Sequence, residues 1–236
     1  MDFITLGFLA ATSIPLYVMA DSIREMFVDG SPSSDETIDA TIKDTEILLG
    51  ANKNYPSRAI TIDMREFPSL SITGITKSGK TKMAEYILNK TKMAKVLINA
   101  YEDDFTSVKA KRITDIKEIG KYLDYLLEVK KFDKPVLVVI DETLSLLSYK
   151  EISKKLHLLL TKNRHKNLFI ICLFQELNKY NCSFKTLFSS RVAMRSIQTS
   201  DIISALGTSL EEYPRLKNRE FILLADDIYY GLTYDI

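Results

Sequence analysis

The stretch "SITGITKSGKTKMAEYIL", residues 71–88, is the feature of the chain that most restricts its fold. Gly74, Gly79, Lys80 and Thr81 match the pattern G-x-x-x-x-G-K-[ST], whose backbone N–H groups surround phosphate. An apolar, strand-like run precedes Gly74, and a helical pattern starts near Lys80. Such a strand–loop–helix unit places phosphate at a helix N-terminus. The sequence therefore predicts a nucleotide-binding α/β protein.

The positions of this loop have separate predicted roles. Lys80 is expected to reach the β- and γ-phosphates of ATP, and the Thr81 hydroxyl is expected to bind Mg²⁺. Lys77 stands where glycine is common, so it needs a strained backbone, adds a charge near the nucleotide or a neighbouring subunit, or simply points into solvent. The residues predicted to bind the nucleotide are Gly74, Ile75, Thr76, Lys77, Ser78, Gly79, Lys80, Thr81 and Lys82.

Two acidic residues follow a second apolar run, "VLVVIDET". Asp141 is expected to hold Mg²⁺ through water or together with Thr81. Glu142 can polarise the water that attacks the γ-phosphate. A single Asp would suit a kinase or a GTPase, whereas the Asp-Glu pair favours an enzyme that hydrolyses ATP to do mechanical work.

A further polar residue, Gln175, ends the apolar run "LFIICLFQ". Ligands of parallel sheets bind at the carboxyl ends of the strands. Gln175 is therefore expected to sense the γ-phosphate, and a role in merely capping the strand is the alternative.

Apolar runs of strand length alternate with helical patterns from about Glu46 onward. This alternation predicts a mainly parallel sheet flanked by helices, with right-handed crossovers and a closing hairpin in the tail. The predicted strands are Ala59–Met64, Ser69–Ile75, Ala94–Ala100, Pro135–Asp141, Leu168–Phe174 and Arg191–Ser196. The predicted helices are Lys80–Lys92, Ile116–Val129, Lys150–Asn163 and Thr199–Leu206.

The N-terminal run Phe3–Ala20 contains no charged residue. As a helix it would measure about 27 Å, close to the thickness of a bilayer core. We favour a single membrane anchor; a buried helix is one alternative, and a secretory signal is disfavoured because no Lys or Arg precedes the run. With Asp2 outside and Arg24 inside, the rest of the chain is expected in the cytoplasm, at the inner face of the membrane.

The chain is also divided by charge. Residues 1–50 hold nine acidic and two basic side chains, whereas the remainder holds 30 basic and 22 acidic ones. A basic catalytic portion is compatible with a polyanionic partner, and a solvated surface of mixed charge also explains it. The predicted organisation is an anchor or docking helix (1–27), an acidic linker (28–45) and a catalytic domain (46–236).

Composition excludes two other kinds of site. Cys172 and Cys182 have no metal-like spacing, and the chain has only two histidines to join them. Neither a zinc site nor a disulfide framework is therefore expected, and a reducing compartment is indicated.

Four stretches, in the same order along the chain, resemble the motor domain of the FtsK/SpoIIIE translocases, within the FtsK–HerA superfamily of ATPases. The likeness covers roughly residues 46–235. The four stretches are "LLGANKNYPSRAITIDMREFPSLSITGITKSGKT", "VLVVIDETLSLL", "TKNRHKNLFIICLFQ" and "FKTLFSSRVAMRSIQTSDIISALG".

This resemblance implies a P-loop NTPase fold of the RecA-like (ASCE) type that binds ATP and Mg²⁺. It implies a homo-oligomeric ring, expected to be hexameric, that pulls double-stranded DNA through its centre. It also implies that Arg164, shortly before the Gln175 strand, is an arginine finger that acts in trans on a neighbouring subunit's nucleotide. Arg191 and Arg195 are rival candidates, and a solvated arginine at a helix end is the plain alternative.

The chain departs from the family pattern in the loop, where Thr76-Lys77-Ser78-Gly79-Lys80 replaces the usual Thr-Gly-Ser-Gly-Lys. No winged-helix module that reads DNA orientation is expected, which puts sequence-directed loading in doubt. A phage, plasmid or conjugative element is the expected setting. The alternatives are a genome-packaging ATPase of a membrane-containing virus, which would be virion-associated, and a secretion or assembly ATPase that moves protein. The acid pair and Gln175 argue against a small-molecule kinase.

Overall fold

The computed structural model describes residues 43–211 and 215–234 of the 236-residue chain. The predicted anchor (1–27), its apolar helix (3–20) and nearly all of the predicted acidic linker lie outside the described residues. Within the described ranges, no helix combines the length and the apolar character that a bilayer span requires.

The described residues form one mixed sheet of ten strands. The strands are β1 (Glu46–Asn52), β2 (Ala59–Asp63), β3 (Ser69–Thr73), β4 (Ala94–Ile98), β5 (Lys111–Ile113), β6 (Val136–Ile140), β7 (Leu168–Phe174), β8 (Ser190–Met194), β9 (Glu220–Leu224) and β10 (Ile228–Leu232). Their order across the sheet is β2-β1-β10-β9-β8-β3-β7-β6-β4-β5.

The six strands from β8 to β5 run parallel to one another. Every residue of β3, β6 and β7 is buried, as expected when helices cover both faces of a parallel sheet. The described α-helices are α1 (Lys80–Lys90), α2 (Ile116–Glu128), α3 (Thr143–Leu147), α4 (Lys150–Lys162) and α5 (Thr199–Leu206). Short 3₁₀ helices cover Asn163–Lys166 and Lys185–Leu187.

Two of these helices begin where side chains satisfy their first N–H groups. Asp115 Oδ1 accepts from the backbone N–H groups of Lys117 and Glu118 at the start of α2, at 2.9 and 3.0 Å. Gln198 and Asp201 form a capping box at the start of α5. In contrast, α1 has neither a side-chain cap nor an acidic residue in its first turn. Its N–H groups therefore remain available beside the loop that precedes it.

The strands β9, β10, β1 and β2 extend the sheet in antiparallel order. Gly231 of β10 lies so close to the buried Phe221 ring that a Cβ would overlap it. Gly50 of β1 packs in the same way on the backbone of Leu232, next to a register shift after Leu48. Glycines inside strands mark such close approaches, and these two fix how the extension packs.

Buried polar side chains fix the amino edge of the parallel strands. Asn163 is 1% exposed and donates from Nδ2 to the carbonyl oxygen of Pro68 at 2.8 Å. Lys166 Nζ donates to the carbonyl oxygens of Leu127 and Val129, where a cation is favoured at the C-terminus of α2. The Asn163 bond thus holds the start of β7 against the start of β3, and the Lys166 bonds hold it against the end of α2.

The predicted α/β fold, with helices on a mainly parallel sheet, is confirmed. All six predicted strands and all four predicted helices occur, with ends that differ by at most two residues. The predicted hairpin occurs as β9 and β10, but it belongs to a larger antiparallel extension. The sequence did not predict β1, β5 or α3, because β5 and α3 are only three and five residues long and β1 is interrupted by its bulge.

The glycine contacts predict two stability changes of opposite sign. Gly231→Ala should lower the free energy of unfolding by about 1–3 kcal/mol, because the added methyl group overlaps Phe221 in the core. Gly120→Ala in α2 should raise it by about 0.5–1 kcal/mol, because alanine favours a helix and Lys155 Nζ, the nearest atom, is 3.9 Å from the new Cβ. Urea unfolding of both variants measures the two changes. An unchanged or raised free energy of unfolding for Gly231→Ala would contradict the packing of β10.

Candidate nucleotide site

The loop between β3 and α1 follows a path that requires the glycines of the sequence motif. Gly79 is the N-cap of α1 and has a φ of 109°, a left-handed conformation that side chains rarely adopt. A Cβ on Gly74 would lie 2.7 Å from Ser78 Oγ and 2.9 Å from Met194 Cβ. Larger residues at either position would therefore open the loop.

Lys77 also adopts a left-handed conformation, with a φ of 64°, and its side chain is exposed. A non-glycine residue in this region carries roughly 1–2 kcal/mol of strain. The structure thus agrees with the strained backbone and with a side chain that points into solvent, two of the three interpretations of the sequence.

Lys80 opens α1, and its side chain reaches back into the loop. Its Nζ donates to the carbonyl oxygens of Gly74 at 2.6 Å and Ile75 at 3.2 Å. Burial lowers the pKa of Lys80, and the negative charges of Glu142 and Asp141 oppose that decrease. The ammonium group therefore interacts with both the loop and the acid pair.

Asp141 is 5% exposed and directly follows β6. Burial raises the pKa of this carboxyl group to about 6, and the nearby charges of Glu142 and Asp104 add to the increase, whereas Lys80 opposes it. Its Oδ1 accepts from the backbone N–H of Glu142 at 2.9 Å, which favours the charged form. A desolvated carboxylate of this kind is well suited to bind a cation.

Glu142 and Gln175 are in direct contact. Gln175 Nε2 lies 3.1 Å from Oε1 and 3.2 Å from Oε2 of Glu142, so the amide donates to the carboxylate. Glu142 has a φ of 42° and a ψ of 47°, again left-handed. The predicted catalytic acid and the predicted sensor are therefore neighbours, brought together by the parallel pairing of β6 with β7.

These residues fit ATP and Mg²⁺. The uncapped N-terminus of α1 carries a partial positive charge beside the loop, as phosphate requires. Ser78 Oγ is buried and has no hydrogen-bond partner among the described residues. Thr81 and Asp141 offer the oxygen ligands that Mg²⁺ prefers. Within the described ranges, no group of three or more His, Cys, Asp or Glu residues could hold a metal by itself.

Arg164 lies at the opposite edge of the sheet. It is exposed and belongs to the 3₁₀ helix that directly precedes β7, whereas Gln175 follows the other end of that strand. The seven residues of β7 span about 23 Å at roughly 3.3 Å per residue. The structure therefore does not bring Arg164 to the nucleotide loop of its own chain, and a catalytic role requires a second copy.

The rival arginines are both on or next to β8. Arg191 donates from Nη1 to the carbonyl oxygen of Leu206 at 2.6 Å, so its side chain holds the C-terminus of α5. Arg195 follows β8, and its carbonyl oxygen accepts from the backbone N–H of Ile75 at 3.1 Å. Arg191 thus has a structural contact within the chain, while Arg195 lies beside the nucleotide loop.

The structure adds two residues to the site that the sequence did not predict. Arg219 has a left-handed backbone, with a φ of 71°. Its backbone N–H donates to the carbonyl oxygen of Ser78 in the loop at 2.8 Å, and its guanidinium group donates to the carbonyl oxygen of Thr233 at 2.7 Å. Asn99 follows β4 and donates to the backbone of the acid pair. A polar residue one position before the end of the predicted strand Ala94–Ala100 is a signal for Asn99. Nothing in the sequence places Arg219 beside the loop.

No protein-family model matches the sequence, and no curated protein matches it significantly. Solved structures do match the fold. The conjugation coupling protein TcpA of pCW3, in its monomer form with ATPγS, is 18% identical, with a TM-score of 0.69 over 86% of this chain and 69% of that one. Thermomonospora curvata EccC (ATPases 2 and 3), in complex with a signal sequence peptide, is 14% identical, with a TM-score of 0.66 over 87% and 42%. The genome packaging NTPase B204 of Sulfolobus turreted icosahedral virus 2, in complex with AMPPCP, is 18% identical, with a TM-score of 0.54 over 72% and 98%.

These similarities confirm the predicted P-loop NTPase fold. Identities of 14–18% show the fold alone. The chain spans less than half of the EccC chain and about two thirds of the TcpA chain. Activity, substrates and partners are therefore proposed below from the site itself.

The raised pKa of Asp141 predicts that its carboxylate lowers the stability of the fold at high pH but is needed to bind nucleotide with Mg²⁺. Since the pKa rises from 3.8 to about 6 on folding, ionised Asp141 destabilises the fold by up to about 3 kcal/mol above that pH, and the penalty disappears as pH falls below 3.8. Asp141→Asn should therefore be more stable than the parent at about pH 8, and the difference should shrink toward about pH 4. Urea unfolding across this range measures it. Mg²⁺-dependent binding of ATPγS should be lost in the same variant. If Asp141→Asn were no more stable than the parent at about pH 8 and still bound ATPγS, Asp141 would be neither a destabilising buried charge nor a Mg²⁺ ligand.

Proposed function

We propose that this chain is an FtsK-type ATPase that hydrolyses ATP with Mg²⁺ to move double-stranded DNA through a ring of identical subunits. We infer the ATPase activity from one observation: one edge of the sheet brings together Lys80, Asp141, Glu142 and Gln175. Two structural neighbours are named as a conjugation coupling protein and a genome packaging NTPase, and these names support the choice of a nucleic-acid substrate.

Each residue of the site has a role in the proposed hydrolysis. Lys80 exchanges its bonds to the loop carbonyls for oxygens of the β- and γ-phosphates. Thr81 and Asp141 would hold Mg²⁺, which would neutralise phosphate charge when bound. Glu142 takes a proton from the water whose oxygen attacks the γ-phosphorus, while the bond to the bridging oxygen breaks and ADP leaves with its electron pair. Gln175 donates its amide to Glu142, and in the proposed complex it would also donate to the γ-phosphate.

A basic face on α4 supports a polyanionic partner. Lys150, Lys154 and His157 are exposed at positions i, i+4 and i+7, so they lie on one face of the helix. Together with Ser183 and Phe184 they line a surface cavity of about 480 Å³, which also includes Glu151. The two lysines of this face suit the phosphate backbone of DNA and predict salt-dependent binding without sequence preference.

The ring is the second part of the proposal. Arg164 lies about one strand length from its own nucleotide loop, so we assign it to the γ-phosphate site of a neighbouring subunit. Hexameric assembly follows from the family resemblance. The compact motor that the resemblance implies is the basis for proposing a phage, plasmid or conjugative element as its setting. The apolar sequence of residues 3–20 is the basis for proposing an anchor at the inner face of the membrane.

Two other functions fit the same fold. One is genome packaging for a membrane-containing virus, in which the moved polymer is still DNA. The other is secretion or assembly, in which the moved polymer is protein, as the signal peptide bound to EccC illustrates for that ATPase. DNA-independent ATPase activity would favour the second.

The proposed function predicts hydrolysis that responds to DNA. The parent should hydrolyse ATP faster with double-stranded DNA, and the stimulation should fall between about 50 and 200 mM salt. Lys80→Ala should abolish hydrolysis, whereas Glu142→Gln should still bind ATP but hydrolyse it on the order of 10²-fold or more slowly. Glu128→Gln, an exposed acid at the end of α2, is the control and should behave like the parent. Near-normal turnover in Glu142→Gln would remove it from the catalytic role.

The trans assignment of Arg164 predicts recovery on mixing. Arg164→Ala should lose roughly 10³-fold in rate, because a finger stabilises charge in the transition state. Subunits with Arg164→Ala and subunits with Lys80→Ala, each inactive alone, should regain partial ATPase activity together, since some interfaces then pair an intact loop with an intact finger. Lys162→Ala, an exposed residue of the same turn, is the control. If the mixture regained no ATPase activity at concentrations where rings form, Arg164 would not act on a neighbouring subunit's nucleotide.

A further inference from the structure

Asn99 connects the strand next to β6 with the backbone of the acid pair. Its Nδ2 donates to the carbonyl oxygen of Asp141 at 3.1 Å and to Ser145 Oγ at 2.9 Å, and it lies 3.4 Å from the carbonyl oxygen of Glu142. One amide group thus reaches the end of β6, the turn that follows and the first turn of α3. The backbone N–H of Asn99 donates to the carbonyl oxygen of Ile113 in β5 at 2.9 Å, so the backbone that bears this amide is held by the sheet.

The turn that Asn99 contacts has an unusual backbone. Glu142 is left-handed, a conformation that strains a residue with a side chain by roughly 1–2 kcal/mol, and it gives α3 no side-chain cap. Ser145 Oγ donates to the carbonyl oxygen of Glu142 at 2.8 Å while accepting from Asn99. The chain Asn99–Ser145–Glu142 therefore stabilises the strained turn from outside it.

This turn decides where the Glu142 carboxylate lies. In the left-handed conformation both carboxylate oxygens are within 3.2 Å of Gln175 Nε2. If the backbone at Glu142 relaxed to a right-handed or extended conformation, its Cα–Cβ bond would point elsewhere and the carboxylate would leave this contact. The direction of the catalytic acid thus depends on bonds that Asn99 makes.

We propose that Asn99 is a positioning residue for hydrolysis, which holds the turn at Glu142 so that the carboxylate faces the attacking water. This inference rests on the proposed function. Asn99 acts through Glu142, so its loss lowers the rate of the chemical step and leaves nucleotide binding by the loop intact. A displacement of about 1 Å in a catalytic group can cost on the order of 10²-fold in rate.

Asn99→Gly tests this role, because Asn99 has a φ of 60° that glycine adopts without strain and the variant loses only the amide. The expected result is a kcat at least roughly 10-fold below that of the parent, with KM and the Kd for ATPγS within about twofold. The control is Asn89→Ala, which removes another amide-to-serine bond, from Asn89 Nδ2 to Ser107 Oγ at 2.9 Å, and should leave kcat unchanged.

A second readout separates positioning from general stability. Ser145→Ala should lower kcat in the same direction, and the double variant Asn99→Gly, Ser145→Ala should lose less than the product of the two single losses, because both side chains support one turn. Thermal unfolding of the variants, measured in parallel, should show similar midpoints for Asn99→Gly and the parent.

The outcomes are distinguishable. A parent that hydrolyses no ATP, with or without DNA, overturns the proposed function and this inference with it. A parent that hydrolyses ATP while Asn99→Gly matches its kcat overturns the role of Asn99 alone. A loss of ATPγS binding or a lower unfolding midpoint in proportion to the loss of kcat also overturns it, since Asn99 would then support the fold and not the reaction.

Discussion

The parallel pairing of β3, β7 and β6 is the constraint on which the candidate site depends. Thr73 pairs with Phe174, and Ile140 pairs with Cys172, so the next residues of all three strands emerge at one edge. A shift of one residue in either pairing would turn every side chain of the shifted strand to the other face. The phosphate loop, the acid pair and Gln175 would then no longer meet. The buried bond from Asn163 to the carbonyl oxygen of Pro68, at the opposite edge, helps to hold this register.

Opposite charges at this edge are held in partly desolvated surroundings. Burial lowers the pKa of Lys80 and raises the pKa of Asp141, so each group is displaced toward its neutral form. The two charges oppose this displacement by attracting each other. A phosphate chain with Mg²⁺ would provide each group with a stronger partner, which is why a site of this kind favours ligand binding at some cost to the stability of the fold.

Most of the parallel sheet could be predicted because its strands are short apolar runs between long helical patterns. The loop motif and the acid pair could be predicted because each role depends on adjacent residues of one segment. The contact of Gln175 with Glu142 and the bonds of Asn99 could not be, since they depend on which strands are neighbours. The antiparallel extension was under-predicted because its packing relies on close approaches at Gly50 and Gly231. The trans role of Arg164 stays a prediction, because it needs a second chain.

Displacement of a third strand from a DNA triplex tests the central claim most directly, because a motor that moves along duplex DNA must remove an oligonucleotide bound in its path. The account predicts that the full chain with ATP and Mg²⁺ releases the third strand, and that it does not do so with ATPγS or after Lys80→Ala. Rapid ATP hydrolysis on the same DNA without any release of the third strand would contradict the account, because the site would then be an ATPase that does not translocate duplex DNA.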